Sequence, residues 1–302
     1  MIVVTGAGGF IGGRLVEELA KRGVECASFS NHKHQPGVAA DCGYLNLLEP
    51  ESFQNLPQSF DTMIHLAAIT PRERGPHVPF SKMLEANAVA IKGLVAEGAK
   101  RGMKRFIFAS SQMVVERPLY LPVDEKHPFV TLTDYGLSKA VGEKYTQEIC
   151  ADLDIETLCL RLSGVYGPGE LLQYVFAVFL NRAMADQPIT VFGRGAIRRD
   201  MLYIKDALRA ILLAAGSSAT GVVNIGSGQS VSILEMAQTM ADLFGKGKCV
   251  VSLVADREEA GYDYEMNIEK ASKELGFVPQ FNFREGMQDY KAVLAQKAGG
   301  IA

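Results

Sequence analysis

The chain has 302 residues, of which 48% are hydrophobic and 22% are charged, and its formal net charge is -3. This balance is ordinary for a globular protein, and a slightly acidic chain has no electrostatic attraction for nucleic acid or for an anionic membrane surface. The longest apolar run, residues 171–180, is too short to span a bilayer. We therefore predict neither a nucleic-acid partner nor a membrane partner.

Five cysteines are scattered along the chain, an odd number without the short spacings that hold a metal ion. Such cysteines are typical of reduced thiols. A strand pattern begins at Ile2, so we expect no signal peptide. These features predict a cytoplasmic protein without a bound metal.

The first predicted element is a β-branched run that ends in a cluster of glycines. Residues 2–5 predict a strand, and the amphipathic pattern of residues 10–22 predicts a helix. Gly6, Gly9 and Gly12 lie three apart between these elements. Each lacks a Cβ atom where a backbone must turn, approach a phosphate or pack a helix on a strand. Because the start of a helix favours an anion, the pattern predicts a dinucleotide site.

The second predicted strand covers residues 23–30. In a dinucleotide fold its end carries a carboxylate for the adenosine ribose. Here Ser30 and Asn31 stand at that place, followed by His32, Lys33 and His34. Two interpretations stay open, a site that accepts a 2′-phosphate and a merely solvated loop, so the cofactor is NAD or NADP.

The following segments alternate between strand and helix patterns. Strands are predicted over 61–68, 105–111 and 155–162, and helices over 82–101 and 134–151. His65, in the first of these strands, is interpreted as a hydrogen-bonded core residue. The alternation predicts crossover units and a parallel sheet covered by helices on both faces, which is an α/β fold.

The pattern loosens after a predicted turn at residues 164–169. Helices are predicted over about 171–185, 206–215 and 233–244, and strands over 189–192, 222–225 and 249–254. No repeat or low-complexity linker interrupts this half, so we expect it to pack directly on the first half.

The chemistry is predicted from a tyrosine, a lysine and a serine. Tyr135 and Lys139 are four positions apart on one predicted helix, so their side chains share a face. A phenol with a pKa of about 10 is a poor base at neutral pH, and a neighbouring ammonium favours its ionised form. Ser111 ends a strand at the edge where open α/β sheets bind ligands. We predict that Tyr135 moves a substrate proton and that Ser111 hydrogen-bonds the same oxygen.

With these motifs, the chain resembles the extended short-chain dehydrogenases/reductases, in particular the NAD-dependent nucleotide-sugar epimerase/dehydratase family. The matching segments are 5–12, 61–68, Asn87 with Gly93, 110–111, 135–139, 161–169, 193–206 and 224–228. The resemblance implies a doubly wound Rossmann domain over residues 1–166, to which 201–226 return. It also implies a smaller substrate domain, made of 167–200 and 227–302, and a homodimer.

The resemblance also implies the roles of individual residues. The catalytic residues are Ser111, Tyr135 and Lys139. The residues that bind the cofactor are Gly6, Gly9, Phe10, Ile11, Gly12, Ser30, Asn31, Asn46, Leu47, Leu66, Ala67, Ala68, Asn87, Tyr135 and Lys139. The residues that bind the nucleoside-diphosphate sugar are Ser111, Gln112, Gly164, Arg199 and Arg257. The planar guanidinium of Arg199 suits the diphosphate oxygens.

The implied reaction begins when Tyr135 deprotonates a sugar hydroxyl while a hydride passes to NAD, which gives a keto sugar. An epimerase turns the keto sugar over and takes the hydride back, whereas a ketoreductase performs only the reductive half. Family dehydratases carry an Asp-Glu pair where this chain has Gln112 and Met113, and neither of these acts as an acid or base. We therefore predict an NAD-dependent epimerase with a transient 4-keto intermediate.

Two alternatives remain beside the epimerase. The missing ribose carboxylate favours an NADP-dependent ketoreductase of a nucleotide-linked keto sugar. A non-enzymatic cofactor sensor would have no use for Ser111, Tyr135 and Lys139. Asn46 and Gly164 stand where the family often has an acid at the adenine and an asparagine at the substrate phosphates, so the identity of the substrate stays open.

Overall fold

The computed structural model describes residues 1–31, 42–70, 78–169, 174–254 and 261–299. In chain order, the strands of these residues are β1 (Ile2–Thr5), β2 (Cys26–Ser30), β3 (Gly43–Tyr44), β4 (Thr62–His65), β5 (Arg105–Ser111), β6 (Glu156–Leu162), β7 (Gly164–Tyr166), β8 (Ile189–Phe192), β9 (Arg198–Tyr203), β10 (Gly221–Ile225), β11 (Ser230–Ser232) and β12 (Val251–Val254). The helices are α1 (Phe10–Lys21), α2 (Phe80–Leu84), α3 (Ala90–Lys100), α4 (Asp134–Asp152), α5 (Tyr174–Met184), α6 (Ile204–Ala215), α7 (Ile233–Phe244), α8 (Glu269–Leu275) and α9 (Phe283–Gly299).

Seven of the described strands form one sheet in the order β10-β6-β5-β4-β1-β2-β3, and every neighbouring pair is parallel. The chain therefore starts in the middle of the sheet and winds outward in both directions. This arrangement brings the carboxyl ends of the strands to one edge. The predicted α/β fold with a doubly wound parallel sheet is confirmed.

The core lies on both faces of this sheet because successive side chains of a strand point to opposite faces. In β1, Val4 packs with Leu15 and Leu19 of α1 in one cluster. Its neighbour Val3 packs with Leu94 of α3 in another cluster, on the other face. Parallel strands that are covered on both faces favour the continuous apolar runs seen in the sequence.

The helix predicted over 82–101 consists of α2, a π-helical turn at Glu85–Val89, and α3. A π-helical turn is rare and often lies at a functional site. Asn87 stands in the middle of the turn and is 1% exposed.

The later strands divide between the large sheet and two small ones. β10 pairs with β6 in the large sheet, whereas β7, β9 and β11 form a three-stranded sheet and β8 pairs with β12. The turn predicted over residues 164–169 is wrong in its first half, because Gly164–Tyr166 pairs in parallel with β9. The boundaries of the two predicted domains stay a prediction.

Three further properties concern membranes, metals and thiols. No helix of the described residues is long and apolar enough to cross a membrane. Within the same ranges, no group of three or more histidine, cysteine or acidic side chains could hold a metal ion. All five cysteines lie in these ranges, and none of them forms a disulfide.

Candidate active site

The glycine turn joins the end of β1 to the start of α1. Gly6 has a φ of +76° and lies so close to the end of β4 that a Cβ atom there would be 2.6 Å from the Ala67 nitrogen. A Cβ atom on Gly12 would overlap the Gly6 carbonyl oxygen. Gly9 caps α1 without a side-chain hydrogen bond, and no acidic residue follows in the first turn. The free N–H groups of this helix start therefore fit an anion such as a dinucleotide pyrophosphate.

The predicted residues beside this turn are Phe10, Ile11, Leu66, Ala67 and Ala68, all of them partly exposed. Phe10 and Ile11 form the start of α1. The other three leave the end of β4, where the Leu66 nitrogen donates to the Thr5 carbonyl over 3.2 Å. The structure thus brings the ends of β1 and β4 together with the start of α1.

His65 is a core residue, as the sequence predicts. It is fully buried, its Nδ1 lies 2.8 Å from the Thr5 hydroxyl, and its ring stacks on Phe106 and Phe108. Burial, together with the charge of Lys139, lowers the pKa of His65 to about 3. The imidazole is therefore neutral at physiological pH and helps to fix the strand end beneath the turn.

The residues predicted at the adenosine end lie at the ends of β2 and β3. Ser30 is buried, Asn31 is exposed, and residues 32–41 lie outside the described residues. Asn46 donates from Nδ2 to Glu49 over 2.7 Å and accepts from the Leu48 nitrogen over 3.1 Å. Glu49, which was not predicted from the sequence, brings a carboxylate to this edge of the sheet.

Two more predicted residues are buried and tied to their surroundings. Leu47, 8% exposed, packs in the core on the Val3 face of the sheet. Asn87 accepts from the Ile69 nitrogen over 2.8 Å and donates to the Ile69 carbonyl over 2.9 Å and to the Ser138 hydroxyl over 3.0 Å. Asn87 therefore links the segment after β4 to α4.

The three predicted catalytic residues lie on two neighbouring elements. Ser111 ends β5, whereas Tyr135 and Lys139 stand one turn apart on α4. Thr133 caps this helix by accepting a hydrogen bond from the Gly136 nitrogen over 3.1 Å. Contacts between α4 and β5 bring the helix against the strand that carries Ser111.

Lys139 joins these two elements directly. Its Nζ donates to the carbonyl of Ala109 in β5 over 2.8 Å and lies 4.8 Å from the centre of the Phe108 ring. Burial lowers the pKa of Lys139 to about 8. At neutral pH the side chain is still mainly an ammonium, a fixed positive charge one helical turn from the half-buried Tyr135. Such a charge stabilises a phenolate.

A buried ion pair supports α4 one turn further along. Glu143 follows Lys139 on the same helical face and receives two hydrogen bonds from Arg161 of β6, over 2.7 and 3.0 Å. The Ser110 hydroxyl donates to the same carboxylate over 2.8 Å. Neither charged residue is more than 4% exposed. The group fixes α4 to both β5 and β6 one helical turn beyond Lys139.

The residues predicted to bind the substrate surround β9. Gly164 pairs with Met201 of this strand, and Gln112 follows Ser111 directly. The Gln112 Oε1 atom is buried without a hydrogen-bond partner among the described residues. Arg199 is half-buried, and its guanidinium donates to the Tyr262 carbonyl. Burial lowers its pKa. Arg257 lies outside the described residues.

Two aspartates, one on β9 and one on α6, accept hydrogen bonds from backbone nitrogens. Asp200 accepts from the Ser227 nitrogen over 2.7 Å and from the Met266 nitrogen over 3.2 Å. Asp206 accepts from the nitrogens of residues 280 and 281. Burial raises the pKa of Asp200. Both carboxylates therefore hold later segments of the chain against β9 and α6.

One family profile matches most of the chain. The profile of the NAD dependent epimerase/dehydratase family matches residues 2–226. The chain belongs to this family. The family predicted from the sequence is thus confirmed, and with it an NAD-dependent enzyme of nucleotide sugars.

Relatives within this family align over nearly the full chain. A putative UDP-glucose 4-epimerase of Methanocaldococcus jannaschii is 30% identical over 305 residues, which cover 95% of this chain and 96% of the relative. A dTDP-4-dehydro-6-deoxyglucose reductase of Escherichia coli is 27% identical and covers 95% of each chain. The crystal structure of a UDP-glucose 4-epimerase complex with NAD from Thermus thermophilus is 25% identical, covers 96% of this chain and 97% of its own, and superposes with a TM-score of 0.79.

The residues that support the predicted catalytic side chains were only partly recognisable from the sequence. The contacts of Glu143 and Ser110 were not predicted from the sequence, although the position of Glu143 four residues after Lys139 was a usable signal. The partner Arg161 was beyond prediction, because its contact with Glu143 depends on the packing of α4 on β6. The assigned roles of the predicted site residues remain predictions.

Proposed function

We propose that this protein is an NAD-dependent 4-epimerase of a nucleoside-diphosphate sugar. The observation that carries the proposal is the placement of Ser111 on β5 and of Tyr135 and Lys139 on α4, joined by the bond from Lys139 to the Ala109 carbonyl. The names of the relatives from Methanocaldococcus and Thermus support UDP-glucose as the first probe substrate.

The glycine turn, with the residues at the ends of β1 and β4, would hold the dinucleotide. When bound, NAD supplies a reversible hydride acceptor. The Tyr135 phenolate removes the proton of the C4 hydroxyl as the C4–H bond breaks, which gives the 4-keto sugar. Ser111 donates a hydrogen bond to the same oxygen, and Lys139 keeps the pKa of Tyr135 low. After the sugar presents its other face, Tyr135 returns the proton to the oxygen of the C4 epimer.

The residues after Ser111 weigh against a dehydratase. Elimination of water needs an additional acid and base. Gln112 has no titratable side chain, and the backbone nitrogen of Met113 donates to the Ser111 hydroxyl over 3.2 Å. An epimerase needs neither an acid nor a base at these two positions.

The test is to incubate the purified protein with UDP-glucose and with UDP-N-acetylglucosamine, without added cofactor. Chromatography and NMR should detect the C4 epimer of at least one of them. Mass spectrometry of the denatured protein should find about one released NAD per chain. The alternative outcome is that no epimer forms and that the protein oxidises added NADPH when a 4-keto nucleotide sugar is present. That outcome would instead establish the ketoreductase that Ser30 and the Escherichia coli relative favour.

We further propose a cytoplasmic homodimer. Exposed apolar side chains on adjacent helical segments support the dimer, namely Val89 at 54%, Leu137 at 41% and Val141 at 40%. Five cysteines without a disulfide among the described residues are compatible with a reducing compartment. Light scattering of the purified protein, compared with a Val141→Glu variant, tests the dimer.

A further inference from the structure

The start of α4 is held by a carboxylate from the segment that follows Ser111. Glu116 accepts three hydrogen bonds at Oε2, from the Leu132 nitrogen over 2.5 Å, the Thr133 nitrogen over 2.8 Å and the Thr133 hydroxyl over 3.1 Å. The Thr133 hydroxyl in turn accepts from the Gly136 nitrogen. A negative charge at a helix N-terminus is favourable, because the unpaired N–H groups there are partially positive.

The backbone strengthens this contact. The Glu116 nitrogen donates to the Val130 carbonyl over 2.8 Å, and the Val130 nitrogen donates to the Val114 carbonyl over 3.0 Å. At Gly136 the two segments are so close that a Cβ atom would be 2.6 Å from the Glu116 carboxylate and would overlap the Met113 carbonyl oxygen. The first turn of α4 therefore rests directly on the chain that leaves Ser111.

Both residues of this contact lie close in sequence to a predicted catalytic residue. Four residues separate Glu116 from Ser111, and three of them form the short 3-10 helix Gln112–Val114. Thr133 precedes Tyr135 by two residues. The bond from Lys139 to Ala109 fixes the next turn of α4 to β5. Glu116 thus completes a frame that holds the strand end with Ser111 and the helix turn with Tyr135 at a set separation.

We propose that Glu116 is a positioning residue for the epimerase reaction, which sets the distance between the Ser111 hydroxyl and the Tyr135 phenol through the first turn of α4. The inference rests on the proposed function for its kinetic consequences. The requirement is geometric: an acceptor oxygen must stand where Leu132 and Thr133 donate. A side chain one methylene shorter loses those donors, whereas glutamine retains an acceptor at the same reach.

The experiment compares Glu116→Asp, Glu116→Gln and Glu116→Ala with the wild type, using UDP-glucose as substrate. Glu116→Asp should lower kcat about tenfold or more, because small displacements of reacting groups are costly in rate. Its KM from steady-state kinetics and its NAD affinity from calorimetry should both stay within about twofold of the wild-type values. Glu116→Gln should restore kcat to within about threefold. The matched control is Glu269→Ala, a glutamate in the first turn of α8, which should leave kcat unchanged.

The proposal is overturned if Glu116→Asp keeps its kcat, or if its loss appears equally in KM and NAD affinity. It is also overturned if kcat falls as much in Glu116→Gln as in Glu116→Asp, because the charge of the side chain and not its length would then determine the rate. Should Glu116→Ala fail to fold, the Asp and Gln variants still decide. Crystal structures of the wild type and Glu116→Asp give a readout that is independent of turnover. An unchanged separation of the Ser111 and Tyr135 oxygens would overturn the proposal even if UDP-glucose is no substrate.

Discussion

Lys139 donates a hydrogen bond from its ammonium to the backbone carbonyl of Ala109 over 2.8 Å. This bond ties the helix that carries Tyr135 to the strand that ends in Ser111, two residues beyond Ala109. One buried side chain thus fixes the helix to the strand, and in the proposed mechanism its positive charge would favour the ionised form of Tyr135.

Tyr135→Phe removes the acid–base group and leaves the ring in place. We expect kcat to fall by about 10³-fold, within the range usual for general acid–base catalysis. Thermal unfolding and NAD affinity should change little, because the variant keeps the aromatic ring and loses only its hydroxyl. The control is Tyr145→Phe on the same helix, which should retain activity. Near-normal turnover of Tyr135→Phe would exclude the proposed mechanism.

Lys139→Met removes the ammonium. The pKa of Tyr135 then rises, so less phenolate is present at a given pH. The pH at which kcat/KM reaches half its maximum should move upward relative to the wild type, with about a 10²-fold loss at pH 7. Lys144→Met, an exposed lysine on the same helix, is the matched control. If the acidic limb of the kcat/KM pH profile does not shift, Lys139 acts by geometry alone.

Glu143→Gln leaves the Arg161 guanidinium buried without a counter-charge. The loss of one partner of a buried ion pair costs about 3–5 kcal/mol of unfolding free energy. Urea unfolding should show this loss, and the double variant Glu143→Met with Arg161→Met should recover most of it. In contrast, Glu269→Gln breaks only an exposed pair with Lys273 and should have no measurable effect. Equal effects of the two glutamine variants would contradict the account of the buried pair.

His65 makes the stability depend on pH. Its pKa is about 3 in the folded protein, compared with 6.5 for an ordinary histidine. Between these values the unfolded chain binds a proton that the folded chain does not, so stability is complete above pH 6.5 and falls as the pH drops. Between pH 7 and pH 5 the wild type should lose about 2 kcal/mol more than His65→Asn in urea unfolding. Parallel losses would show that His65 is protonated in the folded state.

The hydrophobic periodicity of the sequence correctly predicted those helices and strands that are determined by their own residues. The bounds of β8 and α7 agree with the prediction at both ends, because period-2 and period-3.6 patterns are strong there. β7 and β9 were not predicted as strands, because they pair with each other across more than thirty residues of chain. The three residues of β7 are too few for a local pattern that would indicate such a partner.

In the candidate site, too, the features with a local sequence pattern were predicted and those that depend on distant residues were not. Tyr135 and Lys139 are recognisable because their spacing is local, and Ser111 because it ends a strand. The spacing places Glu143 on the helical face of Lys139, but the contacts of Glu116 and Glu143 could not be predicted from the sequence. Those contacts depend on donors from residues 132, 133 and 161. Long-range polar contacts of this kind leave no periodic pattern.

The most direct test of the central claim follows the hydrogen at C4. The protein is incubated with UDP-glucose that carries deuterium at C4, in light water and without added cofactor, and the C4 epimer is isolated for NMR and mass spectrometry. We predict that the epimer forms and keeps the deuterium at C4, because the hydrogen removed from that carbon never exchanges with solvent. Loss of the deuterium to solvent, or no epimer without added NADPH, would contradict the account.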